Sequence, residues 1–136
     1  MHEQYMKRCQ DLANLAQQRG ESPVGSVVVK DGRVIGEASE DSRRMRDITR
    51  HAELLAIKDA IQNVGSCEGA TLYTNVEPCL LCSYAIRHYR LKEVVFARAS
   101  GELGGHLGRF DLLTTEISSW PTPPTITIYH EAIGSS

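Results

Sequence analysis

Two short segments of the sequence carry residues that could together bind a metal and move a proton. His51 and Glu53 stand in an H-A-E segment, and a P-C-L-L-C segment from Pro78 to Cys82 follows after 24 intervening residues. One imidazole and two thiolates on Zn²⁺ leave a fourth tetrahedral position for water, whose pKa then falls to about 7. Glu53 is placed to take a proton from that water and return it to a leaving group. We therefore predict one zinc ion per chain on His51, Cys79 and Cys82, with Glu53 as the catalytic residue.

Both segments stand where a helix is expected to begin. Residues 53–62 read E-L-L-A-I-K-D-A-I-Q, whose apolar positions form one helical stripe, so His51 and Glu53 are predicted in its first turn. Pro78 suits the first position of a second helix that runs to about Tyr89. The two cysteines of the second segment are spaced to share one face of that helix. Helix N-termini favour thiolates and carboxylates, so two such ends are expected to meet around one metal.

Two alternatives use the same cysteines differently. A lone C-x-x-C segment also occurs as a redox pair or as half of a structural zinc site. A redox pair gives no reason for the H-A-E segment, and a structural zinc requires a fourth protein ligand. The other cysteines and histidines that could supply one form no second close pair: Cys9, Cys67, His2, His88, His106 and His130. The catalytic zinc is therefore the preferred interpretation.

Length and composition are typical of a small enzyme. The 136 residues predict a single domain over residues 1–136, with 41% apolar and 24% charged residues. The polar N-terminus predicts no signal peptide, and no apolar run approaches membrane-spanning length. We expect a cytoplasmic protein, in which Cys9 lies in the core and does not pair with Cys67. A net charge of −2 and a pI near 6.2 argue against a large nucleic-acid interface.

Helical and strand patterns alternate along the chain. Helices are predicted over about 3–18, over 53–62 and from Pro78 to about Tyr89, with a short helical turn near 110–113. Strands are predicted over 24–30, 33–38, 70–74, 93–97 and 125–129, with Asp31-Gly32 as a hairpin turn and 40–49 as a charged loop. This order predicts an α/β fold, a three-layer α/β/α sandwich with a central mixed five-stranded sheet.

H-x-E followed by P-C-x-x-C is the signature of zinc deaminases that act on nucleobases. With P-V-G-S-V-V-V (23–29) and T-L-Y-T-N-V-E-P-C-L-L-C-S-Y-A-I-R-H (71–88), the chain resembles the cytidine deaminase-like superfamily over nearly its whole length. It is most similar to the branch of tRNA adenosine deaminases, guanine deaminases and cytosine deaminases. The resemblance implies a hydrolytic deaminase of a nucleobase, nucleoside or related N-heterocycle. It also implies a homodimer in which the second subunit helps to shape the active site.

One departure from the tRNA enzymes bears on the substrate. Where they carry an asparagine that contacts the flipped base, this chain has Glu40. An ionised carboxylate only accepts hydrogen bonds, so Glu40 suits a ring with an N–H donor, such as guanine, better than adenine, whose ring nitrogens are acceptors. The alternative is that Glu40 is simply solvated. Arg50, in place of a small residue before His51, is expected to pair with a nearby acid or to face water; the alternative is a contact with a carbonyl, phosphate or carboxylate of the substrate.

Other candidate substrate contacts are placed by the predicted elements. Val24 begins the strand expected to line the pocket floor. Asn75, at the end of the third strand, could contact the base edge, and the backbone carbonyl of Glu77, before Pro78, could accept a hydrogen bond from the substrate amine. Trp120 and Phe110 are candidates for stacking on a planar ring, with Trp120 on a C-terminal segment that could cover the site.

A surface for tRNA would have to use scattered basic residues, because no lysine or arginine follows Arg109. These residues are Arg43, Arg44, Arg46, Arg87, Arg90 and Lys92. The acidic pI, the absence of a basic C-terminus and Glu40 therefore favour a small-molecule substrate, with a guanine-like base slightly ahead of cytosine. The alternative is a tRNA-specific adenosine deaminase that makes inosine at the wobble position.

If Glu40 reads the ring edge, Glu40→Asn changes the substrate preference, because an amide can donate as well as accept a hydrogen bond. Ammonia release across a panel of bases and nucleosides measures this. An unchanged profile would remove Glu40 from base recognition.

Overall fold

The computed structural model of the chain describes residues 1–120 and 122–130. Its elements, in chain order, are α1 (His2–Gln18), β1 (Gly25–Lys30), β2 (Arg33–Ser39), α2 (Ser42–Met45), a 3-10 turn (Ile48–Arg50), α3 (Ala52–Val64), β3 (Thr71–Val76), α4 (Leu80–His88), β4 (Glu93–Arg98) and β5 (Thr125–Ile128). All five predicted strands and the three longer predicted helices are present. The predicted domain also includes residues 131–136, which lie outside the described residues.

The strands form one mixed sheet in the order β2-β1-β3-β4-β5. β1 is antiparallel to β2 and β3, whereas β3, β4 and β5 are parallel to one another. The β1–β2 hairpin turns at Asp31 and Gly32, whose φ angles of 51° and 75° are the positive values that a tight hairpin turn requires. β3 and β4 need a long crossover because they are parallel, and α4 provides it.

Helices cover both faces of the sheet, which confirms the predicted layers. Side chains alternate between the two faces along a strand. Val27 and Val29 therefore pack with Cys9 of α1, while Val28 packs on the opposite face with Ile57 of α3. Both metal-site helices, α3 and α4, contribute to this second core.

Cys9 and Cys67 lie in the separate cores on opposite faces of the sheet. Both are buried free thiols, so the predicted absence of a disulfide between them is confirmed. Among the described residues, no helix is both long and apolar enough to cross a membrane.

The segment 40–49, predicted as a loop, contains α2 and the 3-10 turn. The reason is a tertiary contact that local sequence does not reveal. The carboxylate of Glu21 accepts hydrogen bonds from the backbone N–H groups of Arg43 and Arg44, at 2.8 and 2.7 Å. These are two of the unpaired donors that every helix start presents, so Glu21 stabilises this short helix from 22 residues away.

The starts of both metal-site helices are shifted from their predicted positions. His51 is the N-cap of α3, with extended φ and ψ of −62° and 145°, instead of a first-turn residue. Cys79 is the N-cap of α4, so Pro78 lies before the helix and not at its first position. The Pro78 carbonyl accepts from Gly105 N–H at 2.8 Å, and Cys79 bridges to Gly104, which keeps this segment extended. The predicted helical turn near 110–113 is a non-helical turn.

β2 and α3 approach each other most closely at Gly36. A Cβ at this position would lie 2.5 Å from Ala56 O and 2.5 Å from Ala60 N, both backbone atoms of α3. The absence of a side chain at Gly36 therefore sets the distance at which the helix carrying Glu53 packs on the sheet.

We expect Gly36→Ala to lower the free energy of unfolding by about 1–3 kcal/mol, because the added methyl group pushes α3 away from β2. Urea unfolding measures this. Val34→Ala in the same strand, which alters a side chain that is 46% exposed, should change it by less than about 0.5 kcal/mol. Equal effects of the two substitutions would show that the close approach at Gly36 does not constrain the packing of α3 on β2.

Candidate active site

His51, Cys79 and Cys82 converge on one point. Nδ1 of His51 lies 3.6 Å from Sγ of Cys79 and 3.5 Å from Sγ of Cys82. A tetrahedral zinc with bonds of about 2.05 Å to nitrogen and about 2.3 Å to sulfur places these atoms about 3.5 Å apart. The donor set and its spacing therefore fit Zn²⁺ held by these three side chains.

The three ligands come from the N-termini of α3 and α4, as predicted. His51 and Cys79 are the two N-caps, and Cys82 lies in the first turn of α4. The His51 and Cys79 carbonyls accept the first helical hydrogen bonds, from Leu55 and Ser83. Each ligand is thus fixed by the start of a helix, and the positive ends of two helix dipoles point towards the thiolates.

Hydrogen bonds among His51, Cys79 and Cys82 shift the pKa values of all three side chains. The pKa of Cys79 is lowered to about 4, mainly by its hydrogen bond from the Cys82 thiol, with a further contribution from His51. The pKa of His51 is raised to about 9, mainly by its hydrogen bond with Cys79, and the pKa of the Cys82 thiol is raised by the same neighbouring sulfur. Metal ligation needs neutral imidazole and two thiolates, so zinc uptake releases protons and strengthens as pH rises.

Glu53 lies beside this cluster in the first turn of α3 and is only 5% exposed. Burial raises the pKa of its carboxyl to about 8, and the negative charges of Cys79 and Glu40 act in the same direction. A carboxyl that titrates near neutral pH can both accept and return a proton, which is the role expected of it.

A structural zinc site with four protein ligands is not formed by the described residues. His51, Cys79 and Cys82 are the one group of three potential ligands among them whose donor atoms converge. Cys9 and Cys67 are buried in the two cores, His2 bonds to Tyr73, and His106 pairs with Asp111. The site therefore offers three protein donors, as in catalytic zinc sites.

Glu40 lies close to the metal ligands, but its carboxylate is bonded within the protein. Oε1 accepts from Ala52 N–H, at the start of α3, at 2.8 Å. Oε2 accepts from the Ser42 hydroxyl at 2.5 Å. The side chain is 6% exposed, so the solvated alternative for Glu40 is wrong. Its carboxylate positions the backbone between His51 and Glu53.

Asn75 bonds to the residues on either side of Val24, at the leading end of β1. The Asn75 amide accepts from Gly25 N–H at 2.9 Å and donates to the Pro23 carbonyl at 2.8 Å. The Val24 carbonyl accepts from Glu40 N–H at 2.9 Å, which links this end of β1 to the Glu40 segment. These bonds hold the strand end in place, and substrate contact by either residue stays a prediction.

Glu77 has a role that the sequence did not reveal. Its carboxylate is 1% exposed and accepts hydrogen bonds from the backbone N–H groups of Ser100, His106 and Leu107. A Cβ on Gly104 would lie 2.2 Å from this carboxylate. Glu77 thus holds the glycine-rich loop 100–108 against the start of α4. The glycines of this loop were the sequence signal for the contact, because they permit the loop to approach the Glu77 carboxylate closely.

The contacts of the two aromatic candidates are with residues other than the metal ligands. Trp120 packs edge-on against Tyr84, with ring centroids 4.9 Å apart, and the Arg87 guanidinium lies 5.2 Å from its ring centroid. Arg87 is eight residues beyond Cys79, about 12 Å along α4 at about 1.5 Å per residue. Trp120 therefore packs on α4, and substrate contact by Trp120 or Phe110 stays a prediction. Phe110 is 58% exposed on the loop after the glycines.

Asp41 anchors the segment that leads into His51. Its buried carboxylate bonds to Arg44 at 2.9 Å and to Arg50 at 2.7 Å, so the expectation that Arg50 pairs with a nearby acid is confirmed. Hydrogen bonds from these two guanidinium groups lower the pKa of Asp41 to about 2. This interaction therefore stabilises the fold above about pH 4 and is lost as the pH falls through 2.

Comparison with known proteins accounts for this arrangement. The sequence of residues 1–98 matches the protein-family model described as the cytidine and deoxycytidylate deaminase zinc-binding region. The chain belongs to this family. It is a zinc-dependent deaminase, a hydrolase of C–N bonds, with zinc on His51, Cys79 and Cys82.

The deaminase is similar to proteins that act on different substrates. The tRNA-specific adenosine deaminase of Aquifex aeolicus is 37% identical over 113 residues, which cover 82% of this chain and 75% of that protein. One solved structure comes from a study of A-to-I editing by tRNA:A34 deaminases at the wobble position of transfer RNA. It superposes on this chain with a TM-score of 0.85 at 28% sequence identity, and the match covers 93% of this chain and 98% of that chain. The structure of the guanine deaminase of Bacillus subtilis superposes with a TM-score of 0.68 at 37% sequence identity, and the match covers 73% of this chain and 65% of that chain.

We expect Glu53→Gln to retain one zinc per chain and to lower kcat by at least about 100-fold, because the amide cannot accept and return the proton. Metal analysis and ammonia release are measured on the same sample. Glu68→Gln, the same change at an exposed position, should leave both values unchanged. Turnover of Glu53→Gln near that of the unsubstituted protein would contradict the role assigned to Glu53.

Proposed function

We propose that this deaminase converts adenosine to inosine at the wobble position of a tRNA anticodon. The observation that carries the proposal is the extent of its similarity to tRNA deaminases. The tRNA:A34 deaminase structure covers 93% of this chain, whereas the guanine deaminase structure covers 73%. The sequence favoured a guanine-like base and kept tRNA as the alternative; the relatives support the alternative.

The position of Glu40 removes the main sequence argument against adenine. That argument required a carboxylate directed at a ring N–H group of the substrate. Both carboxylate oxygens instead accept hydrogen bonds from Ala52 N–H and the Ser42 hydroxyl. Glu40 therefore serves the start of α3, and its acidity gives no preference for guanine.

The arrangement accounts for the chemistry at C6 of adenine. Water adds at C6, the bond between C6 and the exocyclic nitrogen breaks, and ammonia leaves. Zinc, when bound, supplies the water in a more acidic form. Glu53 takes one proton from the water and delivers it to the ring nitrogen, then takes the second from the hydroxyl group now on C6 and delivers it to the leaving amine, so both protons of the water are accounted for. Burial of Glu53 keeps this exchange away from bulk solvent.

The chain before His51 offers a surface for the RNA backbone. Arg43, Arg44 and Arg46 are exposed on and just after α2. Glu21 fixes the backbone of this segment, and Asp41 already pairs with the Arg44 guanidinium, so Arg43 and Arg46 carry the charge offered to a phosphate. A flipped base must bring its flanking phosphates near the site, and arginines are suited to contact them.

The second candidate substrate is a free guanine-like base. The specific observation in its favour is the B. subtilis guanine deaminase, at 37% identity over 73% of this chain. A net charge of −2 also suits a small substrate better than an extended RNA interface.

The homodimer implied by the resemblance is also part of this proposal. Several large apolar side chains on α4 and the loop after β4 are exposed: Leu81, Tyr84, Leu103, Leu107 and Phe110. Exposed apolar side chains that share a region favour contact with another protein surface. A second copy of the chain would cover them and could bring further residues to the site.

The substrate is tested with the zinc-loaded deaminase and an anticodon stem-loop RNA carrying adenosine at the wobble position. Inosine is measured after nuclease digestion, and ammonia release is measured in parallel with free guanine, cytosine and adenine. We expect inosine from the stem-loop and no turnover of the free bases. Glu53→Gln is the matched blank.

Ammonia from guanine without inosine in the stem-loop would contradict the proposal and favour the second candidate. A stem-loop in which the adenosine stands one position away from the wobble position tests whether the reaction is site-specific.

A further inference from the structure

A small cavity lies at the C-terminal end of α4, away from the metal ligands. It has a volume of about 230 Å³. Its lining combines three cationic side chains with one aromatic ring and neutral residues: Arg87, Arg90, Leu91, Lys92, Trp120, Thr122, Pro123 and Thr125. No acidic residue is among them, so the cavity carries uncompensated positive charge.

Arg87 is the one buried cation among the three that line the cavity. It is 3% exposed and forms no ion pair with any described carboxylate. The negative charge of Asp111 acts on it from a distance, but the Asp111 carboxylate is bonded to His106 and Thr114. Burial lowers the pKa of Arg87. A buried guanidinium without a partner anion is costly, and an anion bound beside it would offset that cost.

The hydrogen bonds of Arg87 leave one edge of its guanidinium group poorly used. Nη1 donates to the carbonyls of Leu112 and Thr115, at 2.9 and 2.7 Å. Nη2 makes one long contact of 3.4 Å, to the Trp120 carbonyl. Nε is buried and has no partner among the described residues. Nε is also shielded from solvent, so Nη2, with its single long bond, is the donor of Arg87 that has capacity left for an oxyanion.

Arg90 and Lys92 add exposed positive charge to the lining of the cavity. Both are exposed. The structure gives neither side chain a hydrogen bond to a described residue, and their backbone groups hold the turn into β4. Thr122 and Thr125 place hydroxyl-bearing side chains on the same lining. A phosphate group accepts hydrogen bonds from donors of these kinds: the Arg87 Nη2 group, exposed cationic side chains and hydroxyl groups.

We propose that this cavity is a binding site for a phosphate group, separate from the deamination site. Its volume is smaller than the roughly 300 Å³ or more of pockets that enclose a whole small-molecule ligand. A phosphate therefore enters the cavity while the rest of its molecule stays outside. The phosphate comes either from an RNA backbone or from a small phosphorylated compound, since both present the same oxyanion.

Binding of inorganic phosphate tests the site without reference to deamination. The zinc-loaded protein is titrated with phosphate, with sodium chloride at equal ionic strength as the reference, by calorimetry. We expect saturable binding that is weakened at least tenfold in the double variant Arg90→Gln/Lys92→Gln. The control Arg19→Gln/Arg33→Gln removes two exposed cations elsewhere and should change the affinity less than twofold.

Arg87→Lys keeps the charge but loses the planar guanidinium and its Nη2 donor, so it should also weaken phosphate binding. If this variant is unstable, because Arg87 also holds the 112–120 segment, the surface pair decides the result. Absence of saturable binding, or equal binding by the Arg90→Gln/Lys92→Gln variant, would overturn the proposal.

A second measurement distinguishes the two sources of phosphate. Affinity for the anticodon stem-loop is measured for both double variants. Weaker RNA binding by Arg90→Gln/Lys92→Gln than by Arg19→Gln/Arg33→Gln, together with competition by inorganic phosphate, assigns the site to the RNA backbone. Equal RNA affinities, with the phosphate difference retained, assign it to a small phosphorylated compound.

Discussion

The active site depends on two helix N-termini that meet on one face of the sheet. His51 caps α3 and Cys79 caps α4, so each ligand is the last residue of extended chain before a helix. A cap residue has its backbone fixed by the first helical hydrogen bond, and the aligned peptide dipoles favour thiolate at this position. The Nδ1–Sγ distances of 3.5 and 3.6 Å follow from how these two ends are packed, and so does the position of Glu53.

Buried carboxylates bonded to backbone N–H groups hold the surrounding loops. Glu21 holds the start of α2, Glu40 holds the start of α3, and Glu77 holds the loop 100–108 against α4. Charge-assisted hydrogen bonds of this kind are stronger than neutral ones. Most of the acids around the site thus stabilise its frame. Glu53 differs, because its buried carboxyl has a raised pKa that suits it to transfer protons.

The sequence was sufficient for the parts of the site that depend on residue type and short spacing. H-x-E and P-C-x-x-C predicted the ligands and Glu53, and the order of helical and strand patterns predicted a sheet with helices on both faces. It was insufficient where a long-range contact decides the outcome. Nothing local in residues 40–49 predicts a helix that Glu21 caps, and nothing near Glu40 indicates that its carboxylate bonds to Ala52 N–H. The place of Trp120 was also beyond the sequence, because it depends on how the C-terminal segment crosses α4.

X-ray absorption spectroscopy at the zinc edge tests the central claim most directly. The account predicts two sulfur neighbours at about 2.3 Å, one imidazole nitrogen at about 2.0 Å and one further light atom, as in a catalytic site with an open position. In Cys82→Ser, one sulfur neighbour should be lost. A shell of four protein ligands, or a shell without sulfur, would contradict a catalytic zinc held by His51, Cys79 and Cys82.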